Sequence, residues 1–71
     1  MAEIFRYWRK DEVRIYDLRI VPGGTELWRV TSRPGQPDAE IKEDEFTSRE
    51  AALECFAEVE RALTAGGWKA G

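Results

Sequence analysis

Six arginines (Arg6, Arg9, Arg14, Arg19, Arg29 and Arg33) are interleaved with Tyr7, Trp8, Tyr16 and Trp28 in the first half of this chain. A guanidinium beside an aromatic ring is equipped to stack on bases, to grip phosphates, or to anchor a protein interface. Composition alone does not choose among these. A second set, Glu50, Glu54 and Glu58, recurs at four-residue steps. On a helix that spacing stacks the carboxylates on one face. Such a row is either a solvated outer face or a surface that meets a basic partner and imitates a phosphate backbone.

Other chemistry is thinly supplied. The chain has no histidine and one cysteine, Cys55. The commonest general base and metal ligand is therefore absent, and neither an internal disulfide nor a thiolate–imidazole zinc site can form within one chain. Cys55 reads as a small buried hydrophobe. Pro22-Gly23-Gly24 and Ala65-Gly66-Gly67 lack the spacing of phosphate-binding loops. The acidic run Glu43-Asp44-Glu45 reads as a solvated edge strand rather than a catalytic acid pair. The expectation is a protein that is not an enzyme, with no cofactor, no metal and no small-molecule substrate.

Seventy-one residues make one small domain, residues 1–71, with a thin core. No signal peptide and no membrane-spanning apolar run is recognisable, so the expected location is intracellular, in the cytoplasm. The formal charge of −3 hides an asymmetry. Residues 1–37 carry seven basic and five acidic groups, whereas residues 38–71 carry four and nine. Such a split raises the question of charged partners.

These residues must be positioned by local structure. The stretch from Phe46 to Trp68 reads as one amphipathic helix. Thr47-Ser48-Arg49-Glu50 has the form of a capping box, with Thr47 as the cap and Phe46 as a hydrophobic staple. Ala52, Phe56, Val59 and Leu63 form an apolar stripe, flanked by Cys55 and Ala62. Gly66-Gly67 stops the helix, and Trp68 is placed to fold back on it. Upstream, residues 3–9, 13–21, 25–31 and 39–46 read as strands separated by polar, Pro-Gly and Pro-Gly-Gln-Pro turns. The charges of the fourth strand suit a sheet edge. The predicted fold class is α+β: a four-stranded antiparallel meander with one C-terminal helix on one face (ββββα).

A three-residue loop at Pro22-Gly23-Gly24 would set Leu18 against Trp28, Tyr16 against Val30 and Asp17 against Arg29. Tyr16, Leu18, Ile20, Trp28 and Val30 would then face the helix. The first hairpin is open between two registers, one pairing Phe5 with Tyr16 and one pairing Ile4 with Leu18. One helix covers one sheet face, so the other is left bare, carrying Val13, Ile15, Leu27, Arg19 and Arg29. The first strand adds either Trp8 and Arg6 or Phe5 and Tyr7. The competing reading of that face is a wet surface shielded by arginine stems. Trp8, Arg19, Leu27 and Arg29, with Arg33 in the following loop, are the candidate partner-binding residues; Trp28 is assigned to the core.

The stretch from Tyr16 to Trp68 resembles a WGR domain, a small module of poly(ADP-ribose) polymerases and of stand-alone bacterial proteins. The resemblance rests on Tyr16-Asp17-Leu18, Trp28-Arg29-Val30, Pro34-Gly35-Gln36, Phe46 to Ala52, Phe56 and Gly67-Trp68. It implies an antiparallel sheet with one helix, and DNA binding or domain contacts through the tryptophan–arginine region. The signature departs here, since Trp28 is followed directly by Arg29 with no intervening glycine.

The sequence thus points to a non-enzymatic binding module that docks a macromolecule, a protein or a second copy of itself, through the uncovered sheet face. The alternatives are a WGR-like nucleic-acid module using the arginines and aromatics of the sheet, and a small acidic inhibitor or mimic of the phage or bacterial-defence type using Glu50, Glu54 and Glu58.

Overall fold

The computed structural model describes residues 2–71. Five strands and one helix occur in the order β1 (Ala2–Arg9), β2 (Glu12–Val21), β3 (Gly24–Ser32), β4 (Ala39–Phe46), α1 (Arg49–Ala65) and β5 (Lys69–Ala70). They form one antiparallel sheet, β4-β3-β2-β1-β5, with the helix on one side. The α+β meander is as the sequence predicts. The two-residue β5, which pairs with Tyr7 and Trp8 of β1, is an addition that its length hid.

The first hairpin takes a two-residue turn at Lys10-Asp11, which sets Phe5 against Tyr16. The middle hairpin differs from expectation. Its loop is Pro22-Gly23, so Val21 pairs with Gly24, Leu18 with Leu27 and Tyr16 with Arg29. Proline fixes φ at the first loop position, and Gly23 takes φ +90 at the second, the pattern of a type II turn. Because side chains alternate, this slip of one residue turns all of β3 over relative to β2. Leu27 and Arg29, expected on the bare face, lie on the helix side. Trp28 and Val30, expected against the helix, lie on the bare face. The expected Asp17–Arg29 pair is absent; Asp17 accepts from Arg19 Nε at 2.9 Å.

Gly24 comes after the turn for a steric reason: a Cβ there would collide with the carbonyl oxygen of Phe46 on β4. On β4 the two large apolar residues, Ile41 and Phe46, are five apart, an odd spacing that alternation would send to opposite faces. A bulge between the Leu27–Asp44 and Trp28–Lys42 pairs inserts Glu43 and restores both to the helix side. β4 is an edge strand, and the charged residues from Glu40 to Glu45 are exposed.

The helix cap is Ser48, not Thr47. Ser48 has extended backbone, and its Oγ accepts from the Ala51 N–H at 3.2 Å. The C-terminus is a Schellman motif. Gly67 takes φ +86, its N–H donates to the Thr64 carbonyl, and the Trp68 N–H donates to the Leu63 carbonyl. Trp68 returns to the core beside Leu63, as the sequence suggests. Arg9 Nη1 donates to the Gly66 carbonyl at 2.9 Å, placing a cation at the negative end of the helix.

The core is Tyr7, Tyr16, Leu18, Leu27, Ala52, Phe56, Leu63 and Trp68. Phe56 is its hub: its ring stacks on Phe5 at 4.4 Å and lies 5.5 Å from Tyr16 and 6.2 Å from Tyr7. Ile20 shares the helix side of β2 but is 54% exposed, at a recess lined by Glu3, Leu18, Thr25 and Arg49.

This packing can be tested at two positions. Gly24→Ala should lower the unfolding free energy by about 1–3 kcal/mol or more, since backbone must move. Gly35→Ala meets open space at φ +74 and should cost about 1 kcal/mol for the left-handed backbone alone. Equal losses in urea melts would show that the Gly24–Phe46 contact is not rigid.

The other position is Tyr7, whose phenol is pushed up to about 12 by burial and by its hydrogen bond to Glu60. The folded state favours the protonated phenol. Its contribution is therefore whole below pH 10 and is lost as pH rises to about 12, at most about 2–3 kcal/mol. Tyr7→Phe should flatten that part of the stability–pH curve, and an unchanged alkaline slope would count against it.

Candidate functional site

Alternation leaves one sheet face without a helix, and the registers order it into rows. Lys69, Trp8, Val13 and Ser32 form one row; Arg6, Ile15, Val30 and Glu40 the next. Ile4, Asp17, Trp28 and Lys42 form a third, and Arg19, Glu26 and Glu45 a fourth. Ile4 is 64% and Trp8 38% exposed, while Val13, Ile15, Trp28 and Val30 are half-buried among their neighbours. Aliphatic and indole surface therefore runs across the middle of the face, with charge around it.

Trp28 is held flat. Arg19 lies over its ring at 4.4 Å, and its Nε1 donates to Glu26 at 2.9 Å. Arg19 is itself tied to Asp17 at 2.9 Å and Glu40 at 2.7 Å. The hydrogen bond to Asp17, then that to Glu40, raises its pKa. Lys42 bridges Glu26, at 3.7 Å, and Glu45, relieving the like-charge pair those two make across β3 and β4. Lys69 Nζ sits 5.4 Å from the Trp8 ring. Arg6, Arg19, Lys42 and Lys69 are matched on this face by Asp17, Glu26, Glu40 and Glu45, so the face is close to neutral. Asp17 Oδ1 is buried with no hydrogen-bond partner among the described residues.

Of the sequence-predicted site residues, Trp8 and Arg19 lie on this face. Leu27 is 1% exposed in the core and is no surface residue. Arg29 lies on the helix side, 2.9 Å from Glu43 of the bulge. Arg33 is on the helix side of the strand end, bound to Glu12 at 3.0 Å. Trp28 and Val30 are brought to the face by the register, beside Ile15, which lies there as expected. The signal that could have placed Trp28 and Val30 there is the Pro-Gly pair itself, a type II turn signature.

The remaining arginines are structural. Arg9 and Arg14 lie over the Trp68 ring at 4.7 and 4.4 Å on the helix side. Trp28 and Arg29, adjacent on one strand, point to opposite sides, whereas a tryptophan and an arginine two apart would share one. The six arginines thus do not assemble into a single basic patch. Glu50, Glu54 and Glu58 are exposed on the helix. Among the described residues no group of three or more acidic or cysteine side chains converges as a metal site. No helix among them is long and apolar enough to cross a membrane.

A groove of about 280 Å³ runs between α1 and β4, lined by Tyr16, Leu27, Arg29, Glu43, Asp44, Cys55 and Val59. Burial, then the charges of Asp44 and Glu58, push the Cys55 thiol up. The thiol is therefore held protonated, and Cys55 should react with iodoacetamide at neutral pH more slowly than free cysteine. A rate equal to or above that of free cysteine would contradict this.

No family model, no curated protein and no solved structure matches this chain.

Proposed function

We propose that the protein is a non-enzymatic binding module that docks a protein partner through the helix-free sheet face. The observation that carries this reading is the pair of tryptophans, Trp8 and Trp28, flanking Ile4, Val13, Ile15 and Val30 on a face that no element among the described residues covers. Tryptophan and arginine supply the anchors of protein interfaces, and a central apolar patch with a polar rim is their usual anatomy.

Charge supports a protein over a nucleic acid. Nucleic-acid affinity comes chiefly from neutralising phosphates with free cations. Here Arg19 and Lys42 are already paired with carboxylates, and four acidic groups share the face. The WGR-like reading therefore ranks second, and with Arg29 on the far side it would need a different set of arginines. The acidic-mimic reading rests on Glu50, Glu54 and Glu58 alone.

The test is a set of variants scored for association by light scattering and by chemical cross-linking. Ile15→Asp and Trp28→Asp should abolish association while the circular dichroism of the fold persists, because both side chains lie outside the core. Glu54→Lys/Glu58→Lys should leave it unchanged. Association that survives both sheet variants would sink the reading. Tight, salt-sensitive binding to a DNA or RNA oligonucleotide, lost in Arg19→Ala, would favour the second one.

A further inference from the structure

We infer that the partner covering this face is the same face of a second copy of the chain, related by a two-fold axis running along the strands between β2 and β3. The inference rests on the docking reading above and names its partner.

The argument is one of self-complementarity. A two-fold axis along the strands keeps each row at its own height and reverses it left to right, so β1 lies over β4 of the second copy and β2 over β3. In the second row Ile15 then meets Val30 of the second copy, and Arg6 meets its Glu40. In the fourth row Arg19 meets Glu26. The second row thus sets apolar on apolar at the centre with opposite charges outside it, and the fourth row adds a further charge pair, while the third row sets Ile4 against Lys42 and Asp17 against Trp28. An isologous interface requires such matching of a patch with itself.

The alternative two-fold axis, across the strands between the second and third rows, matches Val30 with Trp28 and Glu40 with Lys42 but lays Ile15 on Asp17, Val13 on Arg19 and Ile4 on Arg6, so it leaves more charge against aliphatic surface.

Packed sheets cross at about 30°. At β1 and β4, about 7 Å from the axis, that rotation shifts opposing residues by about 4 Å. The shift is within the reach of an arginine and a glutamate, and it is negligible for Ile15 and Val30 near the axis. Size is also sufficient. Four strands of about eight residues present roughly 500 Å² of projected face per copy, or ~1,000 Å² in the pair, the lower bound for a specific interface. An interface at this lower bound makes a reversible dimer, whose affinity area alone does not set.

The experiment is light scattering on the wild-type chain and on Ile15→Glu and Val30→Lys, alone and mixed. In a concentration series rising to roughly 100 µM, the range suited to an interface at the small end, the wild type should rise to about twice its 8.2 kDa mass. Each variant alone should be monomeric with an unchanged circular dichroism spectrum. An equimolar mixture of the two should return to dimer, since the carboxylate introduced in one copy would then face the ammonium introduced in the other. A mixture that stays monomeric would overturn the along-strand arrangement. A wild type that is monomeric throughout would overturn the second copy as partner while leaving the docking reading standing. A dimer that both variants retain would overturn the inference and the docking reading together.

Discussion

The Pro22-Gly23 loop decides which side of the sheet every β3 residue occupies. Its proline presets one dihedral and its glycine supplies the positive φ that comes next, so Val21 and Gly24 close the ladder and Leu18 is set against Leu27. Leu27 thereby enters the core and Trp28 leaves it. The adjacent Gly24, whose missing Cβ admits the Phe46 carbonyl, fixes where β4 approaches the same hairpin. These three residues determine the content of both faces.

On the covered side the helix works through one ring. Phe56 sits among Phe5, Tyr7 and Tyr16, with Ala52 and Leu63 a turn or two to either side. Trp68 seals the end of this layer and holds Arg9 and Arg14 against its ring. Such cation–ring contacts add about 0.5–1 kcal/mol each when exposed, less than the burial of the indole itself. They matter more for where they put the charge: two arginines are committed to the core's edge and are lost to any basic binding surface. A single helix has no second layer to offer, and the aliphatic and indole surface of the other face is what remains.

Much of the covered side is legible in the sequence, because its signals are periodic or local. The stripe of Ala52, Phe56, Val59 and Leu63, the Gly66-Gly67 stop and the return of Trp68 each have a short-range cause. For the first hairpin the sequence allows two registers, and the structure adopts the one that pairs Phe5 with Tyr16. The bare face is legible as a fact, and so are Val13, Ile15 and Arg19 of β2 on it, but what β3 brings to it is not. Cross-strand charge matching favours Asp17 with Arg29, yet exposed ion pairs are worth less than a turn's backbone geometry, and Asp17 has Arg19 two residues away on its own strand. Ser48 displaces Thr47 as the cap because strand β4 runs on to Phe46 and leaves Thr47 still outside the helix. The bulge at Glu43 has a trace in the odd spacing of Ile41 and Phe46, and β5 has none at all.

The two-residue β5 also bears on how the chain reaches this state. The three hairpins join neighbours in sequence and close small loops, so they can form early and without the helix or β5. The pairing of Tyr7 and Trp8 with Ala70 and Lys69 closes almost the whole chain and waits on the Schellman turn that aims it. Folding is therefore expected to finish where the sheet began. The outer edge of β1 stays unguarded until the helix has docked, which makes that edge the point at which an incomplete molecule is most open to pairing with the wrong strand.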